Sequence, residues 1–184
     1  MTQAPLARIR SLSRKMKLLV VLSAVGLAGA LGYLVWLAAV DIDGLKALIA
    51  RYPLSGTQPL ALSARALVGL AALAVANGLL ISAGIWTLWA IFDHFEKGDI
   101  FSERSGVLLR RTGYLALIGG ISSLLSRTLA ILVATYDNPP GQKMLSLGIS
   151  STDIGLFILA GLLFVLGHIM VIAAQIEADN RSFV

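Results

Sequence analysis

Four long apolar runs alternate with charged segments along this 184-residue chain. The first, Leu18 to Val40, is 23 residues without a charge and would span about 35 Å as a helix, more than the ~30 Å hydrocarbon core of a bilayer. Ala66 to Phe92, Thr112 to Thr135 and Ile154 to Ile176 repeat the pattern. In hydrocarbon each backbone N–H and C=O must be satisfied within its own segment, so apolar runs of this length predict helices. The expected fold is an all-α integral membrane protein, a single four-transmembrane-helix bundle over residues 1–184 with spans at 18–40, 66–92, 112–135 and 154–176.

The segments between the runs have characters of their own. Residues 1–17 carry Arg8, Arg10, Arg14, Lys15 and Lys17 with no acid, and Ile9, Leu12 and Met16 fall at helical spacing. This is the pattern of a basic amphipathic lead-in lying on the membrane surface and held by anionic lipids. The connector 93–111 holds four acids and four bases, which predicts a self-paired cytoplasmic structure. Within it Gly98 should end one helix and Ser102, followed by Glu103, should cap the next. In the two outer loops Gln58 to Ser63 and Leu145 to Ser150 both alternate, so a short two-stranded β pair is expected there. Ser151 or Thr152 should cap the fourth span.

Composition narrows the class. The chain is 57% hydrophobic and 14% charged, too apolar for an ordinary soluble domain of this length. Its net charge of +5 could suggest nucleic acid, but the bases lie beside apolar runs, where lipid headgroups place them, and no direct nucleic-acid partner is expected. Ten Lys and Arg fall in the N-terminus, connector and C-terminus, against four in the two other loops. The positive-inside rule then puts both termini in the cytoplasm. Cysteine is absent, which removes disulfides, thiolate metal sites and a cysteine nucleophile.

Polar side chains inside the runs are the candidate chemistry. Arg127 is the one ionised group within a span, and Asn77 and His168 are the other candidate intramembrane contacts. Arg127 is expected to meet Asn77 or to reach outward to Asp137 or Asp153. Gly26, Gly29 and Gly32 on the first span, and Gly113, Gly119 and Gly120 on the third, offer close helix approach. Candidate partner-surface residues are Glu96, Asp99, Phe101, Arg110, Arg111, Asn180 and Arg181, all on the side assigned to the cytoplasm.

Four spans, Phe95-Glu-Lys-Gly-Asp-Ile-Phe-Ser102 before the third and Glu177-Ala-Asp-Asn-Arg-Ser-Phe-Val184 at the end together carry a likeness over nearly the whole chain. The sequence resembles a bacterial family of small four-helix inner-membrane proteins known only as a domain of unknown function. The resemblance implies no activity, cofactor or catalytic residue. It implies genes neighbouring small helix-turn-helix regulators, and hence signalling at the bacterial inner membrane with such a regulator as partner.

Two functions compete. One is a non-enzymatic sensor or regulatory scaffold acting through the connector and tails. The other is a subunit of a small transporter or channel, which would have to form a homo-oligomer because one four-helix unit has little room for a pore. An enzyme is not expected, since no nucleophile with a base and no metal cage can be assembled from adjacent positions.

Overall fold

The structure, a computed structural model, describes residues 3–50, 62–98, 102–139, 145 and 147–182. The chain order is α1 (Gln3–Val40), α2 (Ile42–Ala50), α3 (Ala64–Lys97), α4 (Glu103–Ala134) and α5 (Ser151–Ser182). All but α2 are long and apolar enough to cross a membrane. The protein is an all-helical multipass membrane protein.

Local chemistry accounts for the helix ends. Asp41 interrupts the first rod, and its carboxylate accepts the Gly44 N–H at 2.8 Å to start α2. Ser63 accepts from Ala66 N to open α3, and Gly98 closes it at φ 94°, a conformation that costs glycine no Cβ clash. The Ser102 hydroxyl accepts from Ser105 N to open α4. The cap of α5 is Ser150, one or two residues earlier than expected. Its hydroxyl accepts from Asp153 N while the Asp153 carboxylate accepts from Ser150 N at 2.8 Å, a reciprocal capping box.

Three expectations are corrected. The basic lead-in is continuous with the first span as one 38-residue helix, about 57 Å long, so it extends the rod rather than bending onto the surface. The four long helices form a row, not a closed bundle: α1 packs on α3, α3 on α4 and α4 on α5, with α2 touching α1 alone among the described residues. The β pair is absent from the described residues: Leu62, Ser63 and 147–150 are irregular, and 58–61, 144 and 146 lie outside the described residues. Some polar groups among the described loop residues have other partners. Ser63 donates to the Asp137 carboxylate, Gly148 O accepts from Arg127, and Ser150 N donates to Asp153. Gly148 O and Ser150 N thus have side-chain partners in place of a strand ladder.

The row is closest between α4 and α5. A Cβ on Gly106 would lie 2.9 Å from both Gly167 O and Val171 N, one on Gly113 3.0 Å from Ala160 O and Phe164 N, and one on Gly120 2.9 Å from the Phe157 ring. These glycines are seven apart, as are Ala160 and Gly167 on α5, so each helix turns the same small-residue stripe to the other. By contrast a Cβ on Gly26, Gly29 or Gly32 would meet nothing within 4 Å. The close approach expected of the first span's glycines is not made among the described residues.

Candidate functional site

Three polar groups punctuate the apolar row. The outermost continues the glycine stripe: one heptad beyond Gly120 is Arg127, and one heptad before Ala160 is Asp153. The helices bring them together, Arg127 Nη2 standing 3.5 Å from Asp153 Oδ2. Nη1 donates to Gly148 O at 3.1 Å and Nη2 to the Ser150 hydroxyl at 3.3 Å. Arg127 thus clamps the start of α5 and the loop before it onto α4. Asp153 is fully buried.

The second group lies between α3 and α4. Asn77 Nδ2 donates to the Ser126 hydroxyl at 2.7 Å and to Leu73 O at 2.8 Å, while Ser122 donates to Asn77 Oδ1 at 3.0 Å. The amide is satisfied on both ends by this helix pair and does not meet Arg127. An interhelical amide of this kind contributes about 0.6 kcal/mol on average in a membrane.

The third group joins α1 to α3 where the apolar runs end. Lys17 Nζ donates to Asp93 Oδ1 at 2.8 Å and to Glu96 Oε2 at 3.0 Å; Arg14 Nε reaches Glu96 Oε1 at 3.3 Å, and Lys97 reaches Asp93 Oδ2 at 2.6 Å. Lys17 also lies over the Trp89 ring, 5.1 Å from its centroid. Three bases hold two acids that stand three residues apart on one helix face, a spacing that lets both carboxylates meet one ammonium. The cluster ends one residue before Gly98, the left-handed turn that leads to α4.

A family profile described as a protein of unknown function (DUF2975) matches residues 18–182, most of the chain and all four spans. The chain belongs to the DUF2975 family. No curated protein and no solved structure matches it. The likeness read from the four spans and the two short motifs is therefore to the family the chain is part of, and that family brings no activity with it.

The remaining candidate residues of this DUF2975 chain scatter. Glu96 belongs to the cluster that joins α1 to α3. Arg110 packs its stem against α5, where a Cβ on Gly167 would lie 2.7 Å from Arg110 Cγ, so it is half-buried in the α4–α5 seam. Arg111 is exposed, and so is His168, next to the buried Gly167. Asp99 and Phe101 lie outside the described residues, as do the side chains of Asn180 and Arg181 at the end of α5. His94, beside the cluster, keeps a buried Nδ1 without a hydrogen-bond partner among the described residues. Among those residues no three His, Asp or Glu side chains gather as a metal ion would need.

Sequence reasoning missed two things. The bases of the lead-in pair with acids 76 to 82 residues away, across two helices, and no local pattern announces that. The heptad register Gly106-Gly113-Gly120-Arg127, facing Asp153-Ala160-Gly167, could have been found: both series are visible in the sequence once a period of seven is tested.

Proposed function

We propose that this protein is a non-enzymatic regulatory component of the bacterial inner membrane, with both termini cytoplasmic, whose N-terminal arm and α3–α4 connector act on a cytosolic partner as one unit. The carrying observation is the ion cluster of Arg14, Lys17, Asp93, Glu96 and Lys97. It ties the basic arm to the last turn of α3, next to the Gly98 turn, so a force or ligand on either reaches the other. The excess of bases on this side supports its cytoplasmic placement. A signalling partner of the small helix-turn-helix type is supported by the family resemblance alone.

The competing reading, a transporter or channel subunit, draws less support. Asn77, Ser122, Ser126, Arg127 and Asp153 bond to one another across adjacent helices rather than lining a passage, and the row encloses no interior between non-neighbouring helices among the described residues. A pathway would need further copies.

A photoreactive residue at the exposed Glu103 tests the proposal in native membranes. Capture of a soluble cytosolic protein, reduced when Lys17→Glu breaks the cluster, is the expected result. Capture of the chain itself and nothing else would overturn the regulatory reading in favour of an oligomeric subunit.

A further inference from the structure

A groove of about 420 Å³ runs between α1 and α3 and opens to the side of the row; Val20, Ala24, Ala28, Leu31, Ile85 and Trp86 are among its lining. From Val20 to Leu31 it is about 16 Å long. Its length and apolar lining suit an extended hydrocarbon chain.

The groove is apolar along its length and charged at one mouth. On α1 the residues Arg14, Lys17, Val21, Ala24, Ala28 and Leu31 recur at alternating spacings of three and four, so one stripe passes from base to small apolar side chain. At the turnover stand Trp89, beneath Lys17, and Trp86, which is 68% exposed. Amphipathic rings of this kind sit at headgroup level. Lys17 is committed to two carboxylates, but Arg14 engages Glu96 through Nε alone, and its side chain is 81% exposed. Arg10 and Lys15 are exposed on the same helix end.

We propose that this groove is a binding site for an anionic phospholipid, with one acyl chain between α1 and α3 and the headgroup phosphate on the Arg14 guanidinium. The site rests on the membrane placement of the helices and is independent of the regulatory reading. It fills the space that small α1 residues leave, and it puts a lipid beside the salt-bridge cluster that joins the arm to the connector.

The test uses the full chain with Trp36→Phe, which leaves Trp86 and Trp89 as its tryptophans. It is reconstituted in phosphatidylcholine vesicles containing a minor, equal fraction of either acyl-brominated phosphatidylglycerol or acyl-brominated phosphatidylcholine. Tryptophan quenching should show about a fivefold preference for the anionic lipid, the value of one base near a headgroup. Arg14→Gln should remove that preference. Ala28→Phe, which fills the groove and leaves every base in place, should remove it too. Equal quenching by both lipids in the native protein would overturn the proposal. So would a preference that survives Ala28→Phe, since surface charge alone would then hold the lipid, or one that survives Arg14→Gln. Quenching by neither lipid would mean that a second copy covers the groove, and would overturn it equally. Should Ala28→Phe fail to insert, the exposed Arg14→Gln still decides.

Discussion

The two ends of the helix row are built on different principles. Between α4 and α5 backbone meets backbone, through glycines seven apart, and the seam is closed at its outer end by Arg127 and Asp153. Between α1 and α3 the one close glycine contact among the described residues is Gly78 against the tip of the Leu31 side chain, the glycines of α1 face outward, and one end is held by exposed or half-buried ion pairs. Both pairs are rich in glycine and apolar residues. Dispersion contacts, which fall off steeply with distance, substitute in lipid for the hydrophobic drive, so the phase of the small residues and not their number decides which helices lock. The α4–α5 half is a closely packed hairpin. The α1–α3 half is a looser joint, and it carries the charge cluster of Arg14, Lys17, Asp93, Glu96 and Lys97.

The comparison is broken most strongly at Gly106. A side chain there meets backbone atoms of α5 that cannot rotate away, so Gly106→Val should cost about 1–3 kcal/mol, at the upper end of that range, read as the shift in denaturant midpoint of the protein in micelles. Gly29→Val, on the open face of α1, should stay within about 0.5 kcal/mol in the same measurement. An equal loss at the two positions would erase the distinction between the halves. A loss at Gly29 that appears in membranes and not in micelles would reveal a partner on α1.

The lock at the end of the hairpin comes next. Arg127→Ala leaves a fully buried carboxylate with its Ser150 hydrogen bonds but no counter-charge, and leaves Gly148 O without its donor, so it should destabilise the protein clearly. Arg127→Lys should recover only part, because one ammonium cannot reproduce the fork that reaches Gly148, Ser150 and Asp153 together. From sequence alone the Lys exchange would be expected to be harmless and the Ala exchange nearly so. A double-mutant cycle with Asp153→Ala measures the coupling, and no coupling would remove Arg127 from the hairpin's account.

Asn77→Ala acts between the halves and should cost about 0.6 kcal/mol, up to about 1.7, because Ser122 and Ser126 can turn back to their own helix carbonyls. A comparably small effect on stability belongs to the joint itself. Lys17→Glu breaks half-buried pairs, the Lys17 and Asp93 side chains being 22% and 21% exposed, but water and salt still screen this end of the helices, so the midpoint should fall by about 1 kcal/mol. It should nonetheless broaden the distance distribution between spin labels on cysteines introduced at the exposed Ser11 and Arg104, and the Lys17→Glu/Asp93→Lys exchange should narrow it in part. If the distribution is unchanged by Lys17→Glu and by added salt, the cluster does not hold α1 to α3.

Sequence by itself determined the helices. Unbroken apolar runs over 20 residues long admit no other backbone in hydrocarbon, and Gly98 and Ser102 mark the turn between α3 and α4 because a left-handed residue and a capping hydroxyl act within one turn. The Arg127–Asp153 contact was among those expected, since both lie near outer helix ends. Only the tertiary structure decided that the helices form an open row, that Asn77 bonds to serines, and that Arg14 and Lys17 hold Asp93 and Glu96. Local signals set where a helix starts and stops, whereas partner choice depends on the rotation of each helix about its axis. That rotation is fixed by contacts between residues far apart in the chain, and in an apolar sequence every face of a helix offers nearly the same affinity for lipid.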